Sequence, residues 1–157
     1  MAEPWVYARE AREIAVNARD YLHVGMVETN RSGQRAYWLG VIAWSTVDRS
    51  AAPDSLSPIR PDVVVLQSGD ASVRLEPEPA GRGAIGAGEP VFPGPQRAFD
   101  EAWYRLGSKQ VLLLARMPPE TVTLVGTDRE AEYRTWRVRP TAAVSFVQAI
   151  GLDRDAP

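Results

Sequence analysis

The sequence contains no cysteine, one histidine (His23) and one lysine (Lys109) among its 157 residues. The lack of cysteine excludes disulfides, thiol nucleophiles and iron–sulfur clusters built from this chain. With a single histidine, the usual zinc sites lack their nitrogen and sulfur ligands as well. We therefore expect neither a metal site nor a cofactor.

Long apolar runs are also missing, since none approaches the ~18 residues that a transmembrane helix requires. The first ten residues, MAEPWVYARE, lack the basic and apolar regions of a signal peptide. As written, the sequence predicts a cytoplasmic chain. A periplasmic or envelope location would require a signal peptide that has been removed.

Positive charge is not in excess either, because the formal net charge is −2. Nucleic-acid-binding modules normally carry a concentrated basic surface, so we expect no nucleic-acid partner. A hydrophobic content of 45% and a charged content of 24% are near the globular average. We predict one domain over residues 1–157, with a frayed tail at 152–157.

What the sequence does contain is a long hairpin, from Tyr21 to Arg49. Asn30–Gly33 separates two runs rich in β-branched and aromatic residues, and a four-residue loop ending in Gly suits a type I turn followed by a left-handed residue. The second run is apolar on both faces and carries Trp38 and Trp44 on the same face. Such a strand is usually covered on both sides, which predicts a central strand.

Alternating or short apolar runs predict further strands. These are Val63–Gln67, Ser72–Glu76, Lys109–Met117, Thr121–Val125 and Ala131–Arg139. Residues 4–19 fit helix or strand, and the neighbouring strands favour strand. Residues 141–150 fit helix and strand equally.

The pattern over Arg97–Leu106 predicts a helix, because Ala98, Phe99, Ala102, Trp103 and Leu106 form an apolar stripe. The sum is a mainly β fold at the border with α+β. We predict an antiparallel β-sandwich or a barrel-like domain with one short helix at about 97–106.

Residues 77–95 are rich in glycine and proline, which predicts a long surface loop. Gly81–Gly86 within it matches G-x-G-x-x-G. Prolines at 90, 93 and 95 follow where a dinucleotide-binding fold would place a helix, so a flexible loop explains the match better.

Catalysis has weak support in the sequence. His23 could be combined with Ser45 and Asp48, but no G-x-S-x-G elbow marks the serine. A hydrolase that uses His23 is therefore a remote alternative. Our first hypothesis is a non-enzymatic domain for binding or assembly, with the bacterial cell envelope as a candidate location.

Aromatic and cationic residues on the strands give the candidate binding surface. It comprises Trp38, Trp44, Trp136, Arg134 and Arg137. We expect protein partners. An exposed sheet edge would also allow the chain to form a homo-oligomer. The alternative is a small-ligand-binding protein whose pocket is lined by Trp38, Trp44 and arginines beneath the 77–95 loop.

Overall fold

The computed structural model describes residues 3–12, 14–48, 60–79, 81–87, 91, 100–137 and 140–152. Within them the elements follow the chain in this order: β1 Trp5–Glu10, β2 Arg19–Arg31, β3 Gln34–Ser45, β4 Val63–Ser68, β5 Ala71–Leu75, α1 Arg82–Ile85, β6 Asp100–Leu106, α2 Ser108–Arg116, β7 Thr121–Val125, β8 Glu130–Arg137 and α3 Pro140–Ala149.

The strands form one antiparallel eight-stranded sheet in the order β5-β4-β7-β8-β1-β2-β3-β6. The sheet is nearly closed and barrel-like, which confirms the predicted mainly β fold class. Where its two edges meet, the backbone N–H of Glu78 donates to the carbonyl of Trp103 at 2.7 Å. The ladder between β8 and β1 joins two groups of four strands.

Every strand contributes one face to a single buried cluster, and α2 and α3 pack their apolar faces into it. The strand residues at its centre include Trp5, Tyr7, Leu22, Val24, Leu39, Val41, Val64, Leu66, Tyr104, Val122, Leu124 and Tyr133. The helices add Val111, Leu114, Ala115, Ala143, Phe146, Val147 and Ile150. The inside of the curved sheet is therefore a packed apolar core.

The β2–β3 hairpin is confirmed, but its turn is tighter than predicted. Arg31 pairs with Gln34, so the turn has two residues, Ser32 with φ 52° and Gly33 with φ 86°. Two positive φ values define a type I′ turn, whose twist matches that of paired strands better than the predicted type I turn. The N–H of Gly33 donates to Oδ1 of Asn30 at 3.0 Å.

The predicted helix at 97–106 is wrong for residues 100–106, which form β6. Residues 97–99 lie outside the described chain. Ala102, Tyr104 and Leu106 face the core, and Trp103 faces the opposite side. The open edge of β3 and the aromatic content of this segment favour strand, because cross-strand pairing with β3 satisfies its backbone.

The predicted strand at Lys109–Met117 is also wrong, because residues 108–116 form α2. Its buried residues Val111, Leu114 and Ala115 are spaced as on one helical face. Leu, Lys, Gln, Ala and Arg are strong helix formers. The side chain of Gln110 accepts a hydrogen bond from the N–H of Gly107 at 2.8 Å and caps the helix.

The remaining predictions agree with the structure in part. The first segment, where strand was favoured over residues 4–19, is a strand only from residue 5 to residue 10, with β2 beginning at Arg19, and residues 140–149, which overlap the segment that fitted helix and strand equally, are helical. The strands predicted at 63–67, 72–76, 121–125 and 131–139 correspond to β4, β5, β7 and β8; residues 138 and 139 are outside the described chain. Leu152, which we predicted to fray, is buried in the core.

Candidate functional site

Four neighbouring strands, β8, β1, β2 and β3, present a row of side chains on the outside of the sheet. Ala8 pairs with Arg134 on one side and with Tyr21 on the other, and Tyr21 pairs with Trp44. Paired residues of an antiparallel ladder point to the same face. Because the alternate residues of these strands face the buried core, this row faces outward.

A β-bulge in β8 adds Trp136 to the row. Tyr7 pairs with Thr135 and Val6 pairs with Arg137, so Trp136 is the extra residue between two successive pairs. Bulges re-aim side chains and are frequent beside functional sites. Trp136 keeps 56% of its surface exposed. The bulge therefore presents a large aromatic side chain to solvent.

Ring contacts connect Trp136 to the hairpin. The rings of Tyr21 and Trp44 stack with centroids 4.6 Å apart and planes 17° apart, and Trp136 meets Tyr21 edge-on at 5.9 Å. The guanidinium carbon of Arg19 lies 4.7 Å from the centre of the Trp136 ring. These are favourable aromatic and cation–π geometries. We call Arg19, Tyr21, Trp44 and Trp136 the outer aromatic face.

His23 supports this face from the side. The indole N–H of Trp44 donates to Nε2 of His23 at 3.3 Å, and the two rings meet edge-on. Nδ1 of His23 is buried and has no hydrogen-bond partner among the described residues. Burial lowers the pKa of His23 below its usual value. A neutral imidazole therefore accepts the hydrogen bond that orients Trp44.

Two arginines on or beside the outer aromatic face form no ion pair with a carboxylate of the described residues. Two ion pairs lie on or beside it, Arg12–Glu10 at 2.7 Å and Arg134–Glu132 at 3.1 Å. Arg19 and Arg137 form no ion pair with a described residue. The nearby acids Glu10 and Glu132 have arginine partners of their own.

Trp38 lies on the same face of β3 as Trp44, as predicted, but it is covered. It is 4% exposed and belongs to a second buried cluster on the outside of the sheet. That cluster contains Val27, Trp38, Ile42, Ile85 and Trp103. The indole N–H of Trp38 donates to Oγ1 of Thr29 at 2.9 Å. Trp44 is not part of this cluster, so the structure separates the two tryptophans.

Residues 81–87, which we call the strap, cover the second cluster. They belong to the segment predicted as a loop at 77–95, of which residues 77–79 and 91 are also described. Ile85 inserts into the cluster, Arg82 forms an ion pair with Glu101, and the guanidinium of Arg31 packs against Gly86. The G-x-G-x-x-G residues thus contact other parts of the protein. Ile85 packs in the cluster of Trp38, where the small-ligand hypothesis placed a pocket.

The described contacts do not assemble the hydrolase that we considered. Oγ of Ser45 donates to the carbonyl of Arg19 at 3.4 Å and accepts from the N–H of Val47 at 3.3 Å. His23 accepts from Trp44 instead. Within the residues that the structure describes, no hydrogen bond joins His23 to Ser45, so a nucleophile–base pair is not formed there.

Of the predicted site residues, the structure brings Trp44, Trp136 and Arg134 into one row and places Arg137 beside it. It adds Arg19 and Tyr21, which our sequence reasoning missed. Tyr21 could have been found from the register, because a two-residue turn places it directly opposite Trp44. The contact of Arg19 with Trp136 depends on the bulge in β8, and no local sequence pattern predicts that bulge.

The fold and this face define a mainly antiparallel β domain with a barrel-like sheet and an aromatic, cationic outer surface. Within the described ranges, no helix has the length and apolarity to cross a membrane, and no group of His, Asp or Glu side chains could hold a metal ion. Comparison with models of protein families, with curated proteins and with solved structures finds no match for this chain. Its function must be argued from its own geometry.

Proposed function

We propose that this chain is a non-enzymatic binding or assembly domain that binds a protein partner through the outer aromatic face. The observation that carries the proposal is Trp136. Its indole is more than half exposed, although it sits on an ordered sheet and contacts both Tyr21 and Arg19. Trp, Tyr and Arg are the residues most enriched at the energetic centres of protein interfaces.

Preorganisation supports the same conclusion. Binding must overcome the entropy of ordering side chains at the interface. Here the Tyr21–Trp44 stack and the Trp44–His23 hydrogen bond hold the aromatic rings before any partner arrives. Arg19 holds one side of Trp136, so much of the ordering is complete in the isolated chain.

The proposal is tested with a photoreactive benzoylphenylalanine at position 134 in the cells that produce the chain. Arg134 belongs to the row but is not one of the four residues of the outer aromatic face, so the probe leaves that face intact. Its side chain is 81% exposed. The control places the same probe at Val144 of α3, which is 44% exposed. We expect a discrete crosslinked protein from position 134 and none from position 144.

A second change makes the test specific. Trp136→Ala in the chain with the probe at position 134 should abolish the crosslinked product, and Trp136→Phe should retain part of it. Equal products from both probe positions, or a product that survives Trp136→Ala in a correctly folded chain, would overturn the proposal. Circular dichroism and the melting temperature establish that each variant folds.

A further inference from the structure

We infer that the partner segment is acidic, with Arg19 and Arg137 pairing with its carboxylates beside Trp136. This inference rests on the proposed function and assigns the chemistry of the partner. Its basis is charge complementarity. The guanidinium of Arg19 borders an exposed indole, Arg137 follows that tryptophan along β8, and neither arginine forms an ion pair with a described residue.

Arg19 is well placed to hold a carboxylate. Its guanidinium lies over the ring of Trp136, and its backbone N–H is bonded to Oγ1 of Thr46 at 3.0 Å. A guanidinium offers five N–H donors in a planar fork, which matches the two oxygens of a carboxylate. The side chain is only partly exposed, so the pair would be less screened than one in open water.

Arg137 adds a second positive charge along the same strand. It follows Trp136 directly after the bulge and pairs with Val6, whose other neighbour is His23. Its side chain is exposed. A chain that crosses Trp136 could therefore place one carboxylate near Arg19 and another near Arg137.

Two acids beside this surface already have arginine partners. Glu10 lies opposite Arg19 across the β1–β2 ladder, but its carboxylate pairs with Arg12. Glu132 pairs with Arg134. The whole chain nevertheless carries a formal charge of −2, which disfavours a long phosphate polymer more than a short acidic segment. Protein carboxylates are therefore the better match.

The experiment uses the full chain and a capped synthetic peptide in which glutamates alternate with small residues. The matched control peptide has glutamine at every glutamate. Binding is measured by calorimetry at low and at raised salt, and the indole N–H signals of the tryptophans are followed by NMR. We expect the acidic peptide to bind at least about tenfold more tightly than the glutamine peptide, with an affinity that falls as salt rises.

Three arginine variants locate the interaction. Arg19→Gln and Arg137→Gln should each weaken binding of the acidic peptide by about three- to tenfold, as expected for a partly exposed ion pair. Arg74→Gln on β5 is the control, because Arg74 is exposed and lies on a distant strand. The indole signals of Trp44 and Trp136 should shift on binding, and those of Trp38 and Trp103 should not.

The outcomes separate this inference from the proposed function. Equal binding of both peptides, no binding of the acidic peptide, or an equal loss in Arg74→Gln overturns the acidic segment; a crosslink from position 134 would then still support a protein partner. Preferential binding to vesicles of anionic phospholipid, or self-association that Trp136→Ala abolishes, also overturns it. No crosslink from position 134 defeats the proposed function itself.

Discussion

The indole N–H of Trp44 and Nε2 of His23 form a hydrogen bond between adjacent strands, with 3.3 Å between the two nitrogens. The bond requires that Nε2 be unprotonated, because a protonated nitrogen cannot accept. The only histidine of the chain is thus coupled to the ring that stacks on Tyr21. Protonation of His23 would remove this support from the outer aromatic face.

We predict that this coupling makes stability depend on pH. Burial lowers the pKa of His23 in the folded chain, whereas the unfolded chain titrates at about pH 6.5. The unfolded state therefore binds more protons just below that pH, so the contribution of His23 is fully present above it. It decreases as the pH falls from about 6.5 toward the lowered folded pKa.

The measurement is urea unfolding of the wild-type chain and of His23→Gln on both sides of this window. Gln can still accept from Trp44 but does not titrate, so its free energy of unfolding should fall less on acidification. Carboxylates elsewhere titrate equally in both chains and cancel in the comparison. Parallel pH curves for the two chains would refute the prediction. Two charged groups lie two strands from His23 in the register: Arg137, paired with Val6, and Glu101, paired with Ile42.

The turn of the β2–β3 hairpin gives a second prediction. Gly33 has φ 86°, and a Cβ added there would meet no atom within 4 Å. Gly33→Ala should therefore lower the free energy of unfolding by about 1 kcal/mol through backbone strain alone. Ser32→Gly is the matched control. Ser32 already has φ 52°, so glycine should leave stability unchanged or raise it slightly.

The strap gives a third prediction. Ile85 is buried against the cluster that contains Trp38 and Trp103. Ile85→Ala should destabilise the chain by about 2 kcal/mol or more and make those indoles more accessible to acrylamide quenching. Val91→Ala is the comparison, because Val91 is only partly buried against the same cluster and should have a smaller effect. Unchanged quenching in Ile85→Ala would show that the strap does not shield the tryptophans.

A buried hydroxyl in the core gives the fourth prediction. The hydroxyl of Tyr7 donates to the carbonyl of Pro119 at 2.8 Å, and burial raises the pKa of Tyr7 far above its usual value. Tyr7→Phe should lower the free energy of unfolding by about 1–2 kcal/mol, because it removes the bond and leaves a carbonyl unpaired. Tyr37→Phe is the control, because Tyr37 is only partly buried against the core, and it should change the free energy of unfolding by less than about 0.5 kcal/mol. Urea unfolding of the two variants provides the comparison.

The sheet could be predicted largely from local alternation, as Thr121–Val125 shows, since its predicted bounds are those of β7. We predicted a helix before Gly107 and a strand after it, whereas the structure has a strand before it and a helix after it. Local patterns could not predict this. Ala102, Trp103 and Leu106 fit a helical stripe, but pairing with β3 buries both faces of the segment as a strand. That pairing is a tertiary contact, which overrides local periodicity.

The site could be predicted only in part, because local alternation shows which residues share a face but not which tertiary contacts cover them. Trp38 and Trp44 do share one face of β3, as the period of two requires. Their environments differ because the strap reaches Trp38 and not Trp44, and the strap comes from a distant part of the chain. The position of Trp136 depends on a bulge opposite Tyr7, and an added residue in one strand leaves no periodic mark in the sequence.

The ladder between β8 and β1 also has a consequence for folding during synthesis. Val6 and Arg137 are paired, although 131 positions separate them (137 minus 6). Contacts of such high sequence separation form late, because a long stretch of chain must first be closed into a loop. On the ribosome, Tyr21 and Trp44 can pair as soon as the hairpin emerges, whereas Trp136 joins them only after β8 is made. A partner that requires Trp136 would therefore not bind nascent chains. It would bind only molecules whose sheet is complete.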